Sequence, residues 1–138
     1  MILSAYFAQI HWLHVIVAGI AYFLLGWLWF SLLFGKPWAR LQERDLSKVD
    51  KGAAARSMGI SFVVNFLLVL TVGLFCYALG AHSFMGGLKV GLALGLGISA
   101  VNYLNMFVFS GKKWPLFLIE AGYQVAGIVL AAVILAAW

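Results

Sequence analysis

Residues 10–34 read IHWLHVIVAGIAYFLLGWLWFSLLF, and residues 35–56 read GKPWARLQERDLSKVDKGAAAR. The first stretch holds no Lys, Arg, Asp or Glu. At ~1.5 Å per residue it is long enough to cross a hydrocarbon core of ~30 Å as a helix. The second is the one extended polar segment, with Lys36, Arg40, Arg44, Lys48, Lys51 and Arg56 set against Glu43, Asp45 and Asp50. Three more apolar stretches follow, at residues 54–79, 88–109 and 115–137, each 22 to 26 residues long. The pattern predicts one all-α domain over residues 1–138, an integral membrane four-helix bundle whose first two spans flank a basic loop.

Composition points the same way. Hydrophobic residues make up 65% of the chain, charged residues 9%, and the mean hydropathy is +1.06, values that no water-soluble surface accommodates. The formal charge of +5 does not point to nucleic acid, because the basic residues sit beside spans, where they set orientation and meet anionic lipid headgroups. Eight of the nine basic residues, the six above with Lys112 and Lys113, fall on one side of the bundle by parity. Lys89 alone lies near the other. The basic side is expected in the cytoplasm, with both termini outside, as in a bacterial inner membrane. No Lys or Arg precedes Lys36 and no small-residue cleavage pattern is present, so the first stretch is expected to remain as a span. The single cysteine, Cys76, allows no intrachain disulfide.

Within the loop, Trp38, Leu41, Leu46 and Val49 share one side at helical spacing, which predicts a short amphipathic helix lying in the interface. Pro37 suits its first turn and Gly52 its C-terminal stop. Trp12 and Trp138 mark the outer headgroup level, Trp38 and Trp114 the inner one. The endings FGKPW at 34–38 and FSGKKWP at 109–115 echo one another, as parallel repeats or shared interfacial chemistry would.

The segment GWLWFSLLFGKPW at 26–38, with FLIEAGYQ at 117–124 and a small-aliphatic helix ending in Trp138, resembles the four-span membrane family called domain of unknown function 1761. The resemblance covers nearly the whole chain and implies a fold and a membrane location, but no activity. This chain has Phe30-Ser31-Leu32 where the family pattern has Tyr-Ser-Pro, and Gln124 where it has His. Those departures bear on a helix-end kink and on a titratable group.

Polar residues at membrane depth are the candidates for chemistry. Glu120 is the only acidic residue within a predicted span, ~8 Å into the fourth helix from Pro115. Counting from the basic end places Ser31, Ser61 and Asn105 at its level, and Asn65, Asn102 and Gln124 one turn deeper. The functional reading is a polar pocket or proton-coupled site. The plainer one is interhelical hydrogen bonding worth ~0.6 kcal/mol per contact, with Glu120 neutral or reaching Lys112 or Lys113.

The stripe Gly87, Gly91, Gly95 and Ser99 lets the third span approach a neighbour closely, in this chain or in a second copy. His11, His14 and His82 could meet near the outer surface as ligands to zinc, copper or haem, although no carboxylate or cysteine lies there to help and interfacial histidine is common. No cofactor is otherwise expected. The chain has no His-Glu-x-x-His, no Gly-x-Ser-x-Gly, no phosphate-binding glycine loop and no carboxylate pair, so an enzyme is not expected. Three expectations remain. The first is a homo-oligomeric channel or transporter for a small solute or ion. The others are an accessory subunit scaffolding a larger membrane complex and a metal or haem protein using the outer histidines.

Overall fold

A computed structural model of the chain describes residues 2–41 and 51–138. These form six helices, α1 Ile2–Gln9, α2 Trp12–Leu33, α3 Gly35–Leu41, α4 Lys51–Ala78, α5 Phe84–Ser110 and α6 Trp114–Ala137, with no strand among the described residues. Four of them, α2, α4, α5 and α6, are long and apolar enough to cross a membrane. They run alternately up and down. Phe107 of α5 meets Trp114 at one end, and His14 of α2 meets Trp138 at the other.

The helix ends follow from local chemistry. Gly80 closes α4 at φ +67°, a left-handed conformation that costs a glycine nothing. Gly80 N–H then donates to Tyr77 O, and Ala81 N–H to Cys76 O, satisfying carbonyls the last turn would leave bare. Ser83 starts α5 by accepting Gly86 N–H at 3.0 Å. Pro115 opens α6, where its missing N–H is no loss.

Some boundaries differ from expectation. Helix α1 was not predicted; it breaks from α2 where His11 turns extended at φ −93°, ψ 96°. Gly52 lies within α4, described from Lys51, while the stretch it was expected to close lies outside the described residues. Trp38 and Pro37 fall in the short α3, while Leu46 and Val49 of the expected amphipathic face lie outside the described residues.

Helix α6 is the centre of the bundle, and its small residues Ala121, Gly127, Ala131, Ala132 and Ala136 are buried. Without a hydrophobic drive between helices in lipid, close packing of small residues supplies the attraction. The glycine stripe of α5 lies against this helix of the same chain. A Cβ at Gly87 would come 2.7 Å from Ala132 O, one at Gly91 2.7 Å from Val129 Cα, and one at Gly95 3.2 Å from Val125 Cα. Ser99 is half-buried beyond them.

Other glycines seat aromatic rings. The Tyr22 ring of α2 lies over Gly127, where a Cβ would be 2.5 Å from Cζ, and Trp29 lies over Gly122. Tyr123 of α6 lies in return over Gly26, and Tyr6 of α1 over Gly73. Two polar ring tips also tie helices together, Trp29 Nε1 donating to Ile119 O at 2.9 Å and the Tyr6 hydroxyl to Leu70 O at 3.0 Å.

Two spans contain a π-helical segment, Leu28–Leu33 in α2 and Gly95–Ala100 in α5. In α2 the segment closes with Phe34 N–H donating to Trp29 O at 2.8 Å, five residues back. It deforms the end of the helix just ahead of α3. In α5 the wider turn holds one residue more than an α-helical path, so everything after it is rotated by ~100°.

Candidate functional site

The rotation in α5 decides which of its polar side chains reach the interior. On an unbroken helix Asn102 would follow Gly95 by seven residues on the face toward α6. With the π turn in between, Tyr103 takes that place, half-buried and hydrogen-bonded to Gln124 of α6. Asn102 and Asn105 are exposed on the outside of the bundle.

Gln124 is the hub of the inner site. Its Oε1 accepts the Tyr22 hydroxyl at 2.6 Å, which leaves its amide N–H groups to face Tyr103. The neighbouring Tyr123 shares a side-chain hydrogen bond with Asn65 of α4, the one buried polar residue among the described residues. The rings interlock, Tyr22 edge-on to Tyr123 at 5.5 Å and Phe30 edge-on to Tyr123 at 5.1 Å. One turn toward the basic end, the half-buried Glu120 accepts Trp38 Nε1 from α3 at 3.3 Å. Glu120 also lines a cleft of about 130 Å³ with Lys112 and Tyr103.

Of the residues expected to form a polar layer, the structure therefore brings Asn65, Glu120 and Gln124 to the interior. It leaves Ser31, Ser61, Asn102 and Asn105 exposed on the bundle surface. Three tyrosines, Tyr22, Tyr103 and Tyr123, carry hydrogen bonds that sequence reading did not assign. Their signal was position. A tyrosine far from the interfacial belts needs a partner for its hydroxyl inside the bundle.

A separate cavity of about 390 Å³ opens at the other end of the bundle. It contains all three histidines, with Tyr6, Tyr77, Gln9 and Trp138 around them and Val15, Gly73 and Cys76 at its base. Trp138 stacks on His14 at 4.0 Å and 18°, and His14 on His11 at 4.9 Å and 27°. Stacked imidazoles hold their lone pairs in near-parallel planes, whereas ligands of one metal must converge on a point. Among the described residues no three His, Cys, Asp or Glu side chains are grouped to hold a metal ion. Burial pushes the Tyr6 hydroxyl up to about 12, so at neutral pH it stays protonated and keeps its bond to Leu70 O.

Between the cavity and the inner site, α2, α4 and α6 meet in a dry layer. Ala18, Val69, Ala131 and Ala132 are each 0% exposed there, with Val72 and Ile128 beside them. A family model described as a protein of unknown function, DUF1761, matches residues 13–136. No curated protein and no solved structure matches the chain.

Proposed function

The chain belongs to the DUF1761 family, and from that membership, which assigns no activity, we propose that it moves a small solute or ion across a membrane as a homo-oligomer. The observation that supports this is an alignment. Helices α2 and α4 carry polar groups on both sides of an apolar layer, His14 and Tyr22 on α2 and Tyr77 and Asn65 on α4, and α6 adds Gln124 on the inner side. Along α2, ~10 Å of helix separates Val15 at the cavity base from Tyr22 in the inner site, and along α4 ~12 Å separates Gly73 from Asn65. In this reading the two sites are the ends of a path closed at its middle. Glu120, at the mouth of the inner cleft, is the group that supplies charge selectivity or proton coupling.

The bundle surface supports the oligomer. Residues 55–64 of α4 are exposed, Ser61 among them, and so are Asn102 and Asn105 of α5. Amide and hydroxyl groups at membrane depth gain from a hydrogen-bonding neighbour that lipid cannot supply, and a second copy offers matching groups. The basic end faces the cytoplasm in this reading, with both termini outside, in a bacterial inner membrane. In a Cys76→Ala background, cysteine at Ser83 is expected to label from outside intact cells and cysteine at Ser47 only after the membrane is opened. Labelling of Ser47 from outside reverses the orientation.

Reconstitution tests the function itself. Proteoliposomes are expected to show flux above empty vesicles for at least one member of a panel of protons, K⁺, Na⁺, Cl⁻ and small neutral solutes, carried by an oligomer of defined mass. The exposed Asn102 and Asn105 favour one second reading, an accessory subunit whose α5 docks on a different protein. A chain that is stable only with co-purifying partners, and silent in vesicles, supports that reading over transport. A metal or haem role for His11, His14 and His82 predicts bound metal or a visible absorption band in the purified protein.

A further inference from the structure

The walls of the outer cavity carry information about what it holds. Its volume of about 390 Å³ lies within the ~300–1,000 Å³ usual for small-molecule sites. Among the described residues, no Lys, Arg, Asp or Glu side chain lines it. An ionic ligand would be taken from water with no permanently charged side chain to receive it, which is costly. The cavity therefore favours an uncharged molecule.

The rings say more about shape. Trp138, His14 and His11 form a stack in which both faces of His14 are covered, leaving ring edges and the outer faces of the end rings as wall, and Tyr6 and Tyr77 stand at 5.8 Å and 44° to each other in the same cavity. A flat ring is the shape that gains most from such a wall. The polar atoms select further. The Tyr6 hydroxyl is committed to Leu70 O and the Cys76 thiol to Ala132 O at 3.8 Å, so neither is needed by a ligand. Imidazole N–H groups and the Gln9 amide remain as donors, and donors match carbonyl oxygens. At the base, Val15 and Leu135 offer an apolar seat for ring methyl groups or an alkyl substituent.

We propose that this cavity is a binding site for an uncharged planar ring bearing carbonyl oxygens, the chemistry of a quinone headgroup. The site lies at the end of the spans away from the basic loop, at the level of Trp12 and Trp138. Rings of that kind mark the interface where an amphipathic ring compound concentrates. The inference goes beyond the transport reading, since binding here requires no passage through the dry layer.

The experiment is an equilibrium titration of the full-length protein in detergent with duroquinone, whose fully substituted ring does not add to the Cys76 thiol. Binding is read by calorimetry and by the shift in thermal unfolding that a ligand of the folded state produces. Saturable binding at one site per chain is expected. It is expected to weaken about tenfold in His14→Leu, which removes the middle ring of the stack. It is expected to weaken similarly in Gln9→Phe, a change at an exposed position that fills the cavity without touching the core. Anthraquinone-2-sulfonate, an anionic ring, is expected to bind more weakly than duroquinone.

Failure of duroquinone to saturate overturns the proposal, as does equal affinity in wild type and Gln9→Phe. A sulfonate bound as tightly as the neutral ring also overturns it. Stoichiometric uptake of Zn²⁺ alone, lost in His14→Leu, would make the cavity a metal site instead. Duroquinone binding in a protein that shows no flux sinks the transport reading and leaves this one standing. Flux without duroquinone binding does the reverse.

Discussion

Gly91→Leu is expected to leave no stable bundle. A Cβ at this position would stand 2.7 Å from Val129 Cα and 3.2 Å from Ala132 Cβ, and the first of these is backbone of the central helix, which cannot turn aside as a flexible side chain would. Leucine adds three further heavy atoms in the same gap, so α5 must lift off α6 along its length. Overpacking of ordinary cores costs ~1–3 kcal/mol, and a backbone obstacle places this case at or above the upper end. The measurement is thermal unfolding and elution in detergent. Gly97→Leu is the control, since nothing lies within 4 Å of a Cβ at Gly97. It should elute and unfold as the wild type does. Equal behaviour of both variants would show that the close approach of α5 and α6 contributes nothing to stability.

Glu120→Gln carries the functional weight. Glutamine keeps the length of the side chain and a carbonyl oxygen to accept Trp38 Nε1, so folding and assembly should persist. What disappears is the ability to carry charge or exchange a proton. Under the transport reading, flux is expected to fall by at least about tenfold, or to lose its dependence on pH, because an interaction worth ~1.4 kcal/mol or more in the rate-limiting step is gone. Flux equal to wild type at every pH would reduce Glu120 to a hydrogen-bond acceptor for α3, and the accessory-subunit reading would become the better one.

The four spans and the basic end were legible because a single term dominates them, the cost of placing charge in hydrocarbon. That term is read from composition without knowledge of any contact. Asn65, Glu120 and Gln124 were legible for the same reason, as polar groups too deep to be solvated. The π turn at Gly95–Ala100 was not. Periodicity assumes a constant turn, so it set Asn102 beside Gln124 where the structure has Tyr103. The tyrosines escaped because their rings read as core while their hydroxyls do the bonding. The glycine stripe announced a close neighbour but could not name it, since the pattern on α5 is one half of a contact whose other half, Val125, Val129 and Ala132, looks like any aliphatic run. The three histidines line one cavity, yet ring stacking, invisible to spacing, governs how the nitrogens of His11 and His14 point.

The rings seated on glycines have a mechanical consequence. Between α2 and α6 there are three such joints, Tyr22 on Gly127, Trp29 on Gly122 and Tyr123 on Gly26, with projections in both directions. They act as detents. Sliding one helix past the other by a turn, ~5.4 Å, would drag every ring out of its notch and against a side chain at once. Rotation of either helix would do the same. These two spans therefore travel as a single strut. The contact of α5 with α6 is a different kind of surface, smooth along Gly87, Gly91 and Gly95, with rings meeting across it only at the basic end, where Phe107 lies against Trp114 and Phe117.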